Sequence, residues 1–371
     1  MQGSSELVST PDAMRSRVGQ AVVHPNALVG APGPVHALRA LRPGPPAELQ
    51  VQEVELPPLT TGTVLVAVTA AGVNRSDTLA CRGVIPCDFP RTLGRDFAGV
   101  VVDGPSELVG TRVWGTGGGG LGLSTDGTHA THVVVPQDGL AEIPHGLTDV
   151  DAAASALSYF AAHSALALAM GVDTADSTYG LDAGDTVIVT GAAGGVGGAA
   201  AALAHWRGAR VVGVVLDATE VQAVEASPSA PHFTTLIASD AEDFTERLRA
   251  EVSGVRAAVD VVGGGMVSAI LPTLALRGGI CVLGGPPHLA QTSINTIDFY
   301  RNALRLVGLH TGLATSRDAA LVLSALRGGF ESGHLTPSGV SGTYPLADAP
   351  QAYVEVEQGV AGRPVLIPNP A

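Results

Sequence analysis

The residues best placed to do chemistry are a run of glycines and alanines, Gly191-Ala192-Ala193-Gly194-Gly195-Val196-Gly197. An apolar run, Val187–Thr190, precedes it, and an alanine-rich stretch, Ala199–Trp206, follows. Strand, glycine turn and helix in that order present backbone N–H groups and the positive end of a helix to a phosphate, and side chains larger than alanine would block the approach. The turn reads as a cradle for the pyrophosphate of a dinucleotide, with Gly191, Gly194 and Gly197 spaced one residue wider than the usual G-x-G-x-x-G. A tight βα turn in an unrelated α/β protein is the plainer alternative. The next apolar run, Arg210–Val215, should end beside the adenosine ribose, where an acidic residue selects NADH and a basic one tolerates NADPH. Asp217 and Glu220 lie just beyond it. They either repel a 2′-phosphate or are solvated loop charges, so both cofactors stay open.

The elements that must position this turn follow from hydrophobic patterning. Six apolar runs alternate with helical windows: Val187–Thr190, Arg210–Val215, Thr235–Ile237, Ala258–Val262, Ile280–Gly284 and Leu304–Leu309. That alternation predicts a parallel, doubly wound sheet, and hence an α/β fold. Val262, Gly284 and Gly285 fall at carboxyl ends of these runs, where open α/β sheets bind ligands. Earlier, Leu49–Leu56, Val64–Ala71, Gly99–Val102, Arg112–Trp114 and His132–Val135 read as short strands between Gly/Pro turns, so the first lobe is β-rich, with Gly117–Gly120 as a flexible loop. The tail after Ser332 returns to short strands and is expected to fold back onto that lobe. Residues 1–34 read as an N-terminal extension, partly disordered.

Composition narrows the function. With 371 residues and 46% hydrophobic but only 15% charged residues, the chain has material for two globular lobes. A formal charge of −14 argues against nucleic-acid binding. Cys81, Cys87 and Cys281 are too few and scattered for a disulfide framework, which points to a reducing cytoplasm. Ala152–Gly171 has the length of a membrane span, but it is dominated by Ala and Ser around His163, so a buried helix is the better reading. Cys81-x5-Cys87 and His129-x2-His132 complete no coordination set, and no metal is expected.

Five stretches together resemble the medium-chain dehydrogenase/reductase superfamily: Ala71-Gly72-Val73-Asn74-Arg75-Ser76-Asp77, Leu93-Gly94-Arg95-Asp96-Phe97-Ala98-Gly99, Gly127-Thr128-His129-Ala130, the Ala193–Gly197 turn and Leu306–Gly308. The resemblance runs from about residue 36 onward. It implies a GroES-like catalytic domain, residues 35–159 and 313–371, interrupted by a Rossmann domain, residues 160–312, with the cofactor between them. Zinc alcohol dehydrogenases of the superfamily place a Cys where this chain has Asn74 and a His where it has Arg95, so the sequence is similar to the zinc-independent quinone oxidoreductase and enoyl reductase branch.

That branch implies hydride transfer from NADPH, its habitual cofactor, or from NADH, which Asp217 and Glu220 leave open, to an activated C=C bond or a quinone, with the Asn74 amide or backbone N–H steadying the oxyanion and no zinc. The resemblance places Asp77 near the cleft. Tyr159 and His163 are candidate proton donors, each with a packing role as the alternative. Arg363 either reaches a cofactor phosphate from the tail or is a surface arginine. Leu304–Leu309 resembles the strand through which family members pair sheets, implying a homodimer that acts on a small molecule. A methyltransferase on a similar sheet, a zinc-free alcohol or ketone oxidoreductase and a non-catalytic dinucleotide binder are the rival readings.

Overall fold

The computed structural model describes residues 33–172, 179–285 and 290–368. The predicted extension therefore lies outside the described residues as far as residue 32. The first lobe opens with β1 (Val35–Ala40), β2 (Gln50–Val54) and β3 (Thr63–Gly72), followed by α1 (Arg75–Cys81) and by β4 (Arg91–Thr92), β5 (Asp96–Asp103), β6 (Arg112–Thr116), β7 (His132–Pro136) and β8 (Ala141–Glu142). β1, β2 and β4 form a small sheet. β3 is the spine of the larger one, antiparallel to β5 and β7. Its Val- and Thr-rich sequence suits a pleated surface buried on both faces, and nine of its ten residues are buried.

The reason for that two-sided burial is α2 (Asp149–Met170), the alanine-rich helix of membrane-span length. Thr148 caps its start by accepting the Asp151 N–H, and Gly171 ends it at φ +72°. Ala70 and Ala98 of the first sheet pack with it in one core that continues into Val187, Val189 and Ala257 of the second. Small side chains let α2 approach both sheets, and its apolar length is covered by protein. Residue 159, where the two predicted domains meet, is in the middle of this helix.

The second lobe contains β9 (Thr186–Thr190), α3 (Gly195–Trp206), β10 (Arg210–Val215), α4 (Ala218–Glu225), β11 (Thr235–Ala238), α5 (Phe244–Glu251), β12 (Val255–Asp260), α6 (Gly265–Ile270), β13 (Leu274–Val282), α7 (Thr296–Arg301) and β14 (Arg305–Gly308). The six strands are parallel, in the order β11-β10-β9-β12-β13-β14. This is the doubly wound arrangement that the six apolar runs predict, with its switch point between β9 and β12.

The chain returns through α8 (Ser316–Ala325), α9 (Arg327–Glu331), β15 (Val340–Pro345), α10 (Ala349–Gln358) and β16 (Arg363–Ile367). β16 pairs antiparallel with the end of β3, Val365 opposite Gly72 and Leu366 opposite Ala71. That register sets Arg363 beside the residues that follow β3.

Candidate active site

The glycine turn sits at the carboxyl end of β9, at the switch point. Gly191 has φ +58°, a conformation that suits glycine, and the N–H of Gly194 closes the turn on its carbonyl at 2.9 Å. A Cβ on Gly197 would lie 2.2 Å from the Gly191 carbonyl oxygen, so the helix can start this close to the strand only with glycine there. Ala193, Gly194 and Gly195 are exposed, leaving the first turn of α3 open to an anion, while Ala192 is buried and donates to Val214 at 3.1 Å.

A buried pair holds the neighbouring strand ends in register. The Thr190 hydroxyl donates to Asp260 at 2.6 Å and accepts the Val261 N–H at 3.0 Å; Asp260 also accepts the N–H groups of Val262 at 3.0 Å and Gly263 at 3.1 Å. The Val262 amide is therefore committed to Asp260, while its Cγ2 would stand 3.8 Å from a Cβ added at Gly191. Exposed Gly284 and Gly285 help line a cavity of about 410 Å³ with Gly263, Val282, Leu306 and Gly308. The candidates Gly191–Gly197, Val262, Gly284 and Gly285 thus share one edge of the sheet.

Asp217 has a second duty. It is the N-cap of α4, accepting from Thr219 at 2.8 Å and Glu220 at 2.9 Å, while the Glu220 carboxylate accepts the Leu216 N–H at 2.8 Å. The two carboxylates are built into the turn after β10 rather than being free loop charges.

Asn74 lies at the centre of a second, buried group. Its side-chain Nδ2 donates to Asp96 Oδ2 at 2.9 Å, its Oδ1 accepts from Arg363 Nη1, and its backbone N–H donates to Asp77 Oδ2 at 2.7 Å. The backbone N–H is thus unavailable to an oxyanion, which corrects one of the two roles expected for it. Arg363 donates its other arm to the Ser158 hydroxyl of α2 at 2.8 Å. A Cβ on Gly195 would lie 2.6 Å from Arg363 Nη2 and 2.8 Å from Ser158 Oγ, so this group touches the open first turn of α3. Burial pushes Asp77 up to about 6 against the pull of the Asn74 N–H, Arg95 and Arg363. It raises Asp96 and lowers Arg363, while the attraction between those two opposes both shifts.

Two candidates are placed elsewhere. The Tyr159 hydroxyl donates to the Thr336 carbonyl and its ring packs against Phe330 at 4.7 Å; burial pushes its phenol far up. The buried His163 ring packs edge-on against Tyr179 at 4.9 Å. Neither joins the Asn74 group, because one residue along a helix turns a side chain by about 100° from Ser158 and five residues by about 140°. Both are engaged away from the Asn74 group. Sequence reasoning passed over Ser158 and Asp96; Asp96 stands inside a quoted stretch, whereas Ser158 carries no local signal. The glycine loop also differs from expectation: Gly119 donates to Ala314 at 3.0 Å, and its Cβ would fall 1.9 Å from the Gly312 carbonyl, so the loop is packed against the segment leaving the second lobe.

The positions at which zinc relatives carry ligands do not fit a metal. One is an amide engaged on both sides and the other is the guanidinium of Arg95. His129 is engaged by Tyr353 at 2.9 Å and the Gly72 carbonyl at 3.2 Å, and burial lowers it to about 4. Among the described residues no three His, Cys, Asp or Glu side chains form a cluster that could hold a metal ion.

A two-lobed fold, a switch-point glycine turn and a polar group touching that turn define a nicotinamide-dependent oxidoreductase class, and comparison with known proteins agrees. Residues 60–145 match the alcohol dehydrogenase GroES-like domain and residues 195–326 the zinc-binding dehydrogenase family. The chain is 30% identical to the zinc-type alcohol dehydrogenase-like protein C337.11 of Schizosaccharomyces pombe, over 80% of this chain and 85% of that protein. It is 27% identical to the quinone oxidoreductase of Sus scrofa, over 89% of this chain and 97% of that one. The structure of mycobacterial Rv1454c complexed with NADPH aligns with a TM-score of 0.72 at 27% identity, covering 90% of this chain and all of that one. The chain belongs to the medium-chain dehydrogenase/reductase superfamily. It is an NAD(P)H-dependent oxidoreductase.

Proposed function

We propose that this protein is a reductase that transfers a hydride from NAD(P)H to the activated C=C bond of an enone or enoyl compound, or to a quinone. The observation that carries this reading is the buried Asn74–Asp96–Arg363–Ser158 group against the first turn of α3. A bound nicotinamide would supply the hydride. The exposed backbone N–H groups of Ala193 and Gly195 and the guanidinium of Arg363 would hold the pyrophosphate, and Asn74 would keep one amide hydrogen for the acceptor. Alcohol oxidation in zinc relatives relies on a Lewis acid for which this donor set has no place, whereas an activated alkene or quinone needs only a positioned hydride and a donor to its oxyanion. Protonation is assigned to solvent, since Tyr159 and His163 are engaged elsewhere.

NADH is the proposed preference, supported by the carboxylates of Asp217 and Glu220 fixed after β10, where a 2′-phosphate would have to sit. A homodimer is proposed through the edge strand β14, beside which Leu306, Ile297, Tyr300 and Leu276 are exposed. Light scattering of the eluting protein should give twice the chain mass.

The test follows consumption of NADH and NADPH with an α,β-unsaturated ketone, a quinone and a saturated ketone as acceptors. Oxidation dependent on the first two and absent with the third supports the proposal. Reduction of the saturated ketone alone would replace it with ketone reduction, and cofactor binding without any turnover would point to a non-catalytic binder.

A further inference from the structure

Among the described residues, Arg95 is the one buried cation near this site that the reaction above does not use. It is 3% exposed, roofed by the loop Gly117–Gly120 and bordered by the first turn of α1. One Nη2 hydrogen is given to the Gly118 carbonyl, and Nη1 reaches the Ser76 hydroxyl only at 3.4 Å. Nε–H has no protein acceptor. Arg95 takes part in no ion pair among the described residues, and its nearness to Asp77 is felt only as an attraction that opposes that acid's upward shift. A guanidinium carries five donors, and burying it with donors unmet and no counter-charge in contact costs several kcal/mol. Such a group calls for an explanation.

Its place in the chain supplies one. Asp96, the next residue, holds the Asn74 amide, and the Arg95 guanidinium reaches Ser76, two residues after Asn74, so the two positions at which zinc relatives carry ligands stand at the same end of β5. Asn74 has at most one amide hydrogen left for a ligand, because its Oδ1, one Nδ2 hydrogen and its backbone N–H are all engaged. The larger reserve of unspent donors belongs to Arg95. Among the described residues the one carbonyl on it is that of Gly118, in a loop of four glycines that carry no side chains.

We propose that Arg95 is the electrophile of the site, binding the carbonyl oxygen of the acceptor and taking the negative charge that forms there. This rests on the reductase reading. A bound reduced nicotinamide would supply hydride to the β-carbon of an enone, and the C=C electron pair would move to the carbonyl oxygen. The enolate oxygen accepts hydrogen bonds from Arg95, which keeps its protons, and water protonates the α-carbon; the nicotinamide is oxidised and the alkene reduced. A quinone would take the hydride at one carbonyl oxygen, the charge would move to the other, held by Arg95, and water would protonate that oxygen. A fixed cation in a site of low dielectric does here what the metal does in zinc relatives.

The experiment compares wild type, Arg95→Gln, Arg95→Lys and Arg95→Ala with an enone as acceptor. Arg95→Gln should lose about 100-fold in kcat, the loss typical of one oxyanion donor, with the dissociation constant of the cofactor unchanged within about 2-fold. Guanidinium ion added to Arg95→Ala should restore part of the rate saturably. If that variant does not fold, the readout moves to p-nitrophenol bound to wild type and Arg95→Gln in the presence of oxidised cofactor. Its absorbance should show more phenolate on the wild type at a given pH. A kcat within about 3-fold of wild type in Arg95→Gln, or equal ionisation of the bound phenol in both proteins, overturns the proposal. Wild type that reduces no acceptor overturns the reductase reading instead, and the phenol titration still decides whether Arg95 stabilises an oxyanion.

Discussion

Arg363, in the last strand, donates to the side-chain oxygen of Asn74, 289 residues earlier, and so completes the candidate site from the far end of the chain. The same guanidinium binds Ser158 and stands against Gly195, so one residue ties the candidate catalytic amide, the inter-lobe helix α2 and the glycine turn together.

Replacing Arg363 with Met should therefore weaken cofactor binding and turnover together. A hydrogen bond to a charged group is worth about 1.5–3 kcal/mol, which corresponds to about 10- to 100-fold in kcat/KM. Arg363→Lys should recover the charge but not the two-armed contact, and should fall between. Cofactor titration and initial rates measured on the same samples check both points; a wild-type dissociation constant in Arg363→Met would remove it from the phosphate site.

Asp77 predicts an unusual pH dependence. Burial raises its folded pKa to about 6 from 3.8, so between those values the native state binds more protons than the unfolded state. Its contribution to stability is fully present below the unfolded value and is lost as pH rises through about 6. Asp77→Asn keeps an acceptor for the Asn74 N–H and removes this loss. About 2 pKa units at about 1.4 kcal/mol each set an upper bound of about 3 kcal/mol on the gain at neutral pH. Urea unfolding of both proteins at several pH values should show their difference growing between pH 4 and pH 7.

Gly197→Ala should abolish the pyrophosphate cradle. Its methyl would meet the Gly191 carbonyl at 2.2 Å, forcing α3 away from β9. Overpacking of this kind costs about 1–3 kcal/mol. Calorimetric titration with NADH should lose its binding signal, while the circular dichroism of the fold is retained.

Asp217→Ser keeps a helix cap and removes one carboxylate. At about 4 Å in water-like surroundings a like charge costs about 1 kcal/mol, so the NADPH-to-NADH ratio of kcat/KM should rise about 5-fold. An unchanged ratio would mean that the 2′-phosphate is not near α4.

Much of the architecture was legible in the sequence because the signals are local. Apolar runs with β-branched residues announce β9 to β14, and the glycine turn is legible because steric exclusion at Gly191 and Gly197 is settled within seven residues. The placement of the proton-donor candidates was not legible for the complementary reason. Tyr159 and His163 lie on the right helix, but which way each points depends on Thr336, Phe330 and Tyr179, and no window around residue 160 contains that information.

The sequence by itself determined the two-lobed α/β plan, the glycine turn after β9 and the exchange of metal ligands for Asn74 and Arg95, since these rest on residue type and short-range spacing. Only the tertiary structure decided that Asp96, Ser158 and Arg363 meet at Asn74 and that Gly117–Gly120 closes over Arg95. Those meetings depend on the β16–β3 register and on how closely small residues let α2 approach both sheets, which are packing outcomes of the whole chain.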